Sequence, residues 1–200
     1  MKKLLNLDRI KEKIFSYNPE KKTDIDELNY TSNDECISHY FYLPHDPLKD
    51  LIDDSNGFNE WKYAEQKIVF TNGCFDVMHR GHIELLASAA DLGNKLIIGL
   101  NSDSSIQALK GKERPIMDEK SRAILLASLN FVDAVVVFAE ETPLNLISFL
   151  KPDVLAKGGD YKIETIVGHE IVHNNGGEVI LVPFLDGFSS TTIIDKIKNY

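Results

Sequence analysis

Cysteine is nearly absent from this 200-residue sequence, which contains only Cys36 and Cys74. Two cysteines cannot form the disulfide framework of a small secreted domain, and their scarcity favours a reducing compartment, the cytoplasm. Long apolar runs are also missing. No stretch approaches the roughly 20 residues of a membrane span, and the apolar stretch after Met1 is too short for a signal peptide. The composition therefore predicts a cytoplasmic protein that does not interact with a membrane.

Positive charge is the second shortage. The chain has 22 Lys and Arg residues against 31 Asp and Glu residues, which gives a formal net charge of −9. This balance argues against non-specific nucleic-acid binding, because such binding needs a basic surface. A site for an anion must then be built locally from a few basic side chains. Hydrophobic residues are plentiful, at 43% of the chain, and they suffice for one well-filled core.

The apolar residues from Trp61 onward alternate between two periodicities. Short apolar runs typical of buried parallel strands are separated by segments with helical spacing. This order predicts an α/β fold: a doubly wound, mostly parallel, five-stranded sheet of the Rossmann-like type. The predicted strands are 68–71, 96–101, 134–138, 154–157 and 179–182. The predicted helices cover about 81–92, 104–109, 119–130, 143–150, 163–174 and 191–198.

Residues 1–56 differ in character from the rest of the chain. Acidic residues outnumber basic ones, and the alternating apolar runs are missing. We predict an acidic, partly helical N-terminal extension over 1–56, followed by a globular domain over 57–200. Within the extension, an amphipathic helix is predicted to start at Asp8 and to carry Ile10, Ile14 and Phe15 on one side.

The extension also contains the apolar cluster His39-Tyr40-Phe41-Tyr42-Leu43. Exposing such side chains to water is unfavourable, so we expect the cluster to pack on the globular domain or on a second copy of the chain in a homodimer. A short helical turn is predicted after Asp46-Pro47. The extension is expected to have no part in the chemistry.

The most informative segment of the chain is 67–82, which reads KIVFTNGCFDVMHRGH. An apolar strand runs into a tight turn at Gly73, and His79 and His82 follow at the start of a helix. The first amides of a helix have no backbone partners and lie at the positive end of its dipole, so they attract anions. Because ligands of doubly wound sheets bind at the carboxyl ends of strands, this segment predicts a phosphate site.

The same segment resembles the signature of a nucleotidyltransferase superfamily, in which a Gly-x-Phe-Asp turn precedes a His-x-Gly-His sequence. Gly73-Cys74-Phe75-Asp76 and His79-Arg80-Gly81-His82 match both parts. The resemblance covers roughly residues 57–200 and is greatest to the adenylyltransferase half of ADP-heptose synthase, which joins ATP to a heptose 1-phosphate. The further blocks that carry it are Asn101-Ser102-Asp103, Lys110–Pro115, Lys157–Tyr161 and Gly187–Ile194.

The resemblance implies roles for these residues. His79 and His82 would contact the triphosphate of the nucleotide, and Gly81 would leave room for it. Lys110 and Arg114 would neutralise the departing pyrophosphate, which makes the two histidines and these two cations the predicted catalytic residues. The predicted nucleotide-binding residues are Thr71, Asn72, Gly73, Cys74, Phe75, Gly81, Lys157, Gly158, Gly159, Asp160, Ser189, Ser190 and Thr191.

Three charged residues are weaker candidates. The resemblance puts Asp103 at the edge where the acceptor sugar or Mg²⁺ binds, whereas Asp76 is expected to hold the turn together. Lys112 falls at a variable position of its block. Neither carboxylate is predicted to ligate a metal directly, and Mg²⁺ would be bound through the phosphates of ATP.

The function implied by the resemblance is a Mg²⁺-dependent nucleotidyltransferase that transfers AMP from ATP to a sugar 1-phosphate. The products would be an ADP-sugar and pyrophosphate, and a separate sugar kinase would supply the acceptor. The residues do not determine the base, so CTP with glycerol 3-phosphate or phosphoethanolamine remains an alternative, as does ATP with FMN. A nucleotide-binding regulator without catalysis is the alternative from another class.

A second motif, His169-Glu170-Ile171-Val172-His173, has the H-E-x-x-H spelling of zinc proteases. Gly176-Gly177 is predicted to end its helix at once. Val179 stands where a third histidine would complete the longer protease pattern. We therefore interpret the match as a coincidence on a surface helix.

Overall fold

The structure is a computed structural model that describes residues 14–17, 61–62, 64–159, 161–183, 185 and 187–200. Within these residues, six strands are present: β1 (Ile14–Tyr17), β2 (Ile68–Gly73), β3 (Lys95–Asn101), β4 (Ala134–Phe138), β5 (Val154–Gly158) and β6 (Glu178–Val182). The helices with defined bounds in these residues are α1 (Arg80–Ala90), α2 (Asp103–Lys110), α3 (Glu119–Ala127), α4 (Leu144–Leu150), α5 (His169–Asn174) and α6 (Ser190–Lys198), with a 3₁₀ turn at Ile163–Thr165.

All strands belong to one parallel sheet with the order β1-β4-β3-β2-β5-β6. The five strands predicted from the sequence are confirmed to within two residues at their ends, and the largest difference is at β2, which ends at Gly73 rather than Thr71. The chain first builds β2, β3 and β4 in one direction and then returns to place β5 on the other side of β2. The order therefore reverses beside β2, which is the position where doubly wound sheets bind their ligands.

The sixth strand comes from the N-terminal extension. Residues Ile14–Tyr17 pair in parallel with β4, with Ile14 opposite Val135 and Tyr17 opposite Phe138. The predicted helix that included Ile14 and Phe15 is therefore wrong at these positions. The segment is rich in β-branched and aromatic residues, which favour strands, and β4 would otherwise present an unpaired edge.

The fifth predicted helix, 163–174, is also wrong as a single element. The structure divides it into the 3₁₀ turn and the six-residue α5, which are separated around Gly168. Gly168 has φ +89°, and a Cβ there would lie 2.6 Å from the side chain of Ile147. Only glycine combines that backbone with so close an approach to α4.

The core lies on both faces of the sheet, as a doubly wound fold requires. On one face, Leu86 of α1 and Leu126 of α3 pack against strand residues such as Ile98. On the other face, Ile147 of α4 and Val172 of α5 pack against a second set of strand residues. In the part of the chain that the structure describes, no helix is both long and apolar enough to cross a membrane.

Several predictions fall on residues outside the described ranges. These are the start of the extension helix at Asp8, the apolar cluster at 39–43, the turn after Pro47 and the site residue Asp160. The division into an extension (1–56) and a domain (57–200) stays a prediction. The structure adds that four residues of the extension share the sheet of the domain.

Candidate active site

The centre of the site is a pair of stacked histidines. β2 ends at Gly73, and α1 starts at Arg80 with His79 at its N-cap. The rings of His79 and His82 are stacked, with centroids 3.8 Å apart and planes 20° from parallel. The ring of Phe75 meets His82 edge-on at 5.3 Å. Among the described residues, neither buried histidine Nδ1 has a hydrogen-bond partner.

Both histidines are held neutral. Burial lowers the pKa of His79 below its ordinary value. Burial also lowers the pKa of His82, to about 4, and repulsion from His79 and Lys110 adds to the effect against the opposing attraction of Asp76. At neutral pH each ring therefore has one N–H donor and one acceptor nitrogen. A bound anion would favour the protonated rings, which can donate from both nitrogens.

The turn before the histidines is strained and closely packed. Phe75 and Val77 have φ values of +47° and +54°, a region that residues other than glycine rarely adopt and that is frequent at functional sites. A Cβ on Gly73 would lie 3.1 Å from the Phe75 ring. A Cβ on Gly81 would lie 3.1 Å from the His79 ring. The space beside Gly81 is therefore needed by the His79 imidazole, and the expectation that Gly81 also leaves room for phosphate stays a prediction.

Asp76 joins this turn to the loop after α2. Its carboxylate accepts hydrogen bonds from the backbone amides of Ile116 and Met117, at 2.9–3.0 Å, and from Nε of Arg114, at 2.7 Å. Burial alone would raise the pKa of Asp76, but these donors hold it below its ordinary value. Its backbone carbonyl accepts from the Ser190 hydroxyl. The expectation that Asp76 holds the turn together agrees with these contacts.

The two predicted cations of the loop differ in their surroundings. Lys110 is exposed at the end of α2, one residue later than the predicted helix end, and it is close enough to His82 to affect that ring's pKa. Arg114 is half-buried and bound through Nε to Asp76. Lys112 is exposed in the turn between them. The structure thus brings Lys110 and Arg114 to the histidine pair and its turn.

Lys157 lies at the carboxyl end of β5, beside the end of β2. Its ammonium donates a 2.6 Å hydrogen bond to Oδ1 of Asn72, across the point where the strand order reverses. Burial lowers the pKa of Lys157 to about 8, against a smaller opposing effect of Cys74. Gly158 ends the strand, and Gly159 follows with φ +111°. The predicted Lys157 and Asn72 are therefore direct partners.

The start of α6 contacts the same turn. The Ser189 hydroxyl accepts from the Thr192 amide at 3.0 Å and caps the helix. Ser190 donates to the Asp76 carbonyl, whereas Thr191 is exposed. Two other predicted residues, Thr71 and Phe75, are buried, at 1% and 4% exposure.

The residue that sequence reasoning missed is Arg122 of α3, which is fully buried. Its Nη2 pairs with Oδ1 of Asp103 at 2.7 Å, so the carboxylate expected near the acceptor or Mg²⁺ is engaged by a cation. Its other contacts are with backbone carbonyls. The sequence did contain a signal: Arg122 lies four residues before Leu126, on the apolar face of an amphipathic helix.

The H-E-x-x-H motif lies away from these residues, on the short helix α5. Nδ1 of His169 is 2.9 Å from the Ile166 carbonyl, and His173 is exposed. Within the described ranges, no group of three or more His, Cys, Asp or Glu side chains is arranged to hold a metal.

Comparison with known proteins agrees with this geometry. Residues 70–196 match the model of the family described as Cytidylyltransferase-like, over more than half of the chain. The chain belongs to this family. It is therefore a nucleotidyltransferase, and the resemblance drawn from the turn and the histidines is confirmed, as is the α/β fold.

The relatives include larger proteins. A protein named "Bifunctional protein HldE" from Rhodopseudomonas palustris (strain BisB18) is 52% identical over 140 residues, which are 70% of this chain and 29% of the relative. One of the same name from Geobacter metallireducens is 56% identical over 136 residues, or 68% and 28%. The chain thus spans less than a third of the length of these relatives. The solved structure of a lipopolysaccharide core biosynthesis protein from Thermoplasma volcanium GSS1 is 28% identical in sequence and has a TM-score of 0.46. The match covers 60% of this chain and 97% of that chain.

Proposed function

We propose that the protein transfers AMP from ATP to a sugar 1-phosphate of the heptose type and releases pyrophosphate, giving an ADP-sugar. The observation that carries the proposal is the stacked pair His79 and His82, whose buried Nδ1 atoms have no partner among the described residues and which lie at the start of a helix beside Lys110. Such a set of donors suits the anionic transition state of nucleotidyl transfer.

The reaction follows from the chemistry of the two substrates. An oxygen of the sugar 1-phosphate attacks the α-phosphorus of ATP, and the bond from that phosphorus to the bridging oxygen of the β-phosphate breaks. A phosphate monoester has its second pKa near 6, so the nucleophile is already anionic at neutral pH and needs no strong general base. Catalysis is then a matter of placing the two substrates in line and neutralising charge.

The histidines serve the transferred phosphoryl group. Their rings are neutral in the free protein because they are buried, and a phosphate beside them favours the protonated forms. Donation to the equatorial oxygens strengthens as those oxygens gain charge. Lys110 and Arg114 act on the β- and γ-phosphates. Arg114 is directed by its bond to Asp76, and Lys110 by the end of α2.

Lys157 is assigned to the phosphates where the nucleotide and the acceptor meet. Its ammonium is fixed by Asn72 at the end of β5, and its charge is poorly solvated because the side chain is buried. A buried cation of this kind gains most from an approaching anion. We assign it to the phosphates at the junction of nucleotide and acceptor.

Magnesium fits the site through the phosphates of ATP. The Asp76 carboxylate already accepts from two amides and Arg114, and Asp103 is paired with Arg122. These carboxylates are therefore poorly suited as direct ligands, whereas nucleotide phosphates commonly bring Mg²⁺ with few protein ligands. The ion would add charge neutralisation at the departing pyrophosphate.

The choice of ATP and of a heptose phosphate rests on similarity. The Lys157-Gly158-Gly159-Asp160-Tyr161 and Thr71–Asp76 blocks resemble the adenylyltransferase half of ADP-heptose synthase. The relatives named "Bifunctional protein HldE" support the same choice. A separate sugar kinase of the cytoplasm would then supply the acceptor.

The proposal is tested with the purified protein and Mg²⁺ in a panel of ATP or CTP against candidate acceptors, read by pyrophosphate release. We expect release with ATP and a heptose 1-phosphate and none from the His79→Ala/His82→Ala double variant. Release with CTP and glycerol 3-phosphate or phosphoethanolamine, or with ATP and FMN, would replace the substrate assignment. Tight nucleotide binding without release on any acceptor would favour the regulator.

A further inference from the structure

The buried Arg122 has contacts that a core residue does not need. Its guanidinium carries a full charge at 0% exposure, and within the described ranges one carboxylate, from Asp103, is paired with it. Burying a charge is costly, and apolar side chains of similar volume often stabilise a core as well or better. The side chain therefore fits a role other than simple packing.

Arg122 joins segments that lie far apart in the sequence. Nη1 donates to the carbonyl of Cys74 at 2.7 Å and to that of Asn101 at 2.8 Å, so it bridges the turn after β2 and the end of β3. Nη2 donates to Asp103, the first residue of α2, at 2.7 Å. Nε donates to the carbonyl of Met117 at 3.0 Å.

Three of these partners lie on segments that carry residues which the proposed function uses. Cys74 lies in the turn that leads to the histidine pair. Asp103 begins the helix whose last residue is Lys110. Met117 follows the loop that carries Arg114, and its amide donates to Asp76. One side chain thus contacts the supports of the histidines, of Lys110 and of Arg114.

We propose that Arg122 is a positioning residue of the nucleotide site, which fixes the turn before His79 relative to the segment that carries Lys110 and Arg114. Its four donated bonds set the distance between donors that must reach one triphosphate together. A displacement of about 1 Å between such groups can cost on the order of 10²-fold in rate. The proposal deepens the proposed function and rests on it for the role of those donors.

The test compares Arg122→Lys and Arg122→Met with a matched control at the opposite edge of the sheet. The control is Lys95→Met, which breaks the half-buried pair of Lys95 and Asp133, 2.9 Å apart. The first readout needs no substrate: the imidazole ¹⁵N–¹H signals of His79 and His82 in folded, ligand-free protein. We expect both signals to move in the Arg122 variants and to stay in place in Lys95→Met.

The second readout is kcat per folded molecule. It is measured by pyrophosphate release with the acceptor that the wild type uses. We expect Arg122→Lys to lower kcat about 10²-fold. In a His79→Ala background the same change should cost less than about tenfold, because the two residues act on one step. A loss that multiplies fully in both backgrounds would instead indicate an independent, structural role.

The outcomes distinguish a failure of the positioning role of Arg122 from a failure of the proposed reaction. Unmoved imidazole signals, or a kcat within about twofold of wild type, would overturn the positioning role. Failure of both Arg122 variants to fold would also overturn it, since the residue would then be purely structural. Absence of turnover on every acceptor, with imidazole signals that do move in the Arg122 variants, would refute the proposed reaction and leave the positioning role intact.

Discussion

The amino edge of the sheet, where the strands begin, and the carboxyl edge, where they end, differ in how their polar groups are paired. At the amino edge, the polar groups that begin the strands are paired locally. Asp153 accepts from the Ile68 amide at 2.7 Å, and Asp133 accepts both from the Leu96 amide and from the Lys95 ammonium, at 2.9 Å each. These carboxylates satisfy strand ends that would otherwise lack partners.

At the carboxyl edge, several polar groups are left with unfavourable surroundings. His79 and His82 bury Nδ1 atoms that find no partner in the described residues, and burial shifts the pKa of Lys157 to about 8. Phe75 and Val77 adopt left-handed backbone conformations. Stability alone would not select this arrangement. The difference supports the proposal that the carboxyl edge is the binding site, because strained backbone and shifted pKa values cluster at functional sites.

The strongest way to break this comparison is to remove the histidines. His79→Ala or His82→Ala should lower kcat by about 10²–10³-fold, the usual loss for one transition-state donor. The fold should be retained and can be checked by thermal unfolding. Wild-type turnover in both single variants would show that the edge with unpaired groups is not the reacting centre.

Removal of the N-terminal extension tests whether the site at the carboxyl edge depends on the strand β1 at the end of the sheet. Deleting residues 1–56 removes β1 and leaves β4 as an edge strand. We expect the free energy of unfolding to fall by about 2–5 kcal/mol, because the backbone hydrogen bonds between β1 and β4 are lost. Pyrophosphate release per folded molecule should be largely kept. A folded but inactive truncation would mean that the extension takes part in the chemistry.

The two lysines around Gly111 separate a specific contact from diffuse charge. Lys110→Ala should weaken ATP binding by about tenfold, because it loses a charge-assisted contact to phosphate. Lys112→Ala, its matched control two residues away, should change the affinity by less than about threefold. The dissociation constants can be measured by calorimetry. Equal effects would reduce the loop to a general source of positive charge.

The smallest expected effect is on the alkaline limb of the pH profile. The pKa of Lys157 is lowered to about 8, so in the free protein its ammonium is present below that pH and is lost as the pH rises through it. We expect kcat/KM to decline above about pH 8. Lys157→Arg should extend the plateau upward because the guanidinium stays charged. An unchanged alkaline limb in that variant would exclude Lys157 as its source.

Much of the fold could be predicted from the sequence because the strands β2 to β6 are short, continuous apolar runs. Their buried sides and the Gly73 turn depend on local residue types. β1 could not be predicted in this way: Ile14 and Phe15 fit one face of a helix as well as a strand, and the pairing with β4 decides between them. The break at Gly168 depends similarly on contact with Ile147 from α4.

The same distinction between local pattern and distant contact applies to the candidate site. Motifs alone could identify three residues of the site. His79 and His82 directly follow the turn after β2, and Lys110 lies at the end of α2. The bond between Lys157 and Asn72 spans 85 residues, and Arg122 reaches Cys74 across 48. Contacts of such separation depend on the strand order, which the local pattern does not contain. For this reason the sequence pointed to residues that we propose to bind the nucleotide, and it missed Arg122, which we propose to position them.

The central claim is that the stacked histidines receive the triphosphate, and its most direct test is the pKa of His82 measured by imidazole NMR. In the free protein we expect a value near 4. With a saturating, non-hydrolysable ATP analogue and Mg²⁺, the pKa should rise by at least about one unit, since the anion favours the protonated ring. A pKa that does not change while the analogue binds would contradict the account.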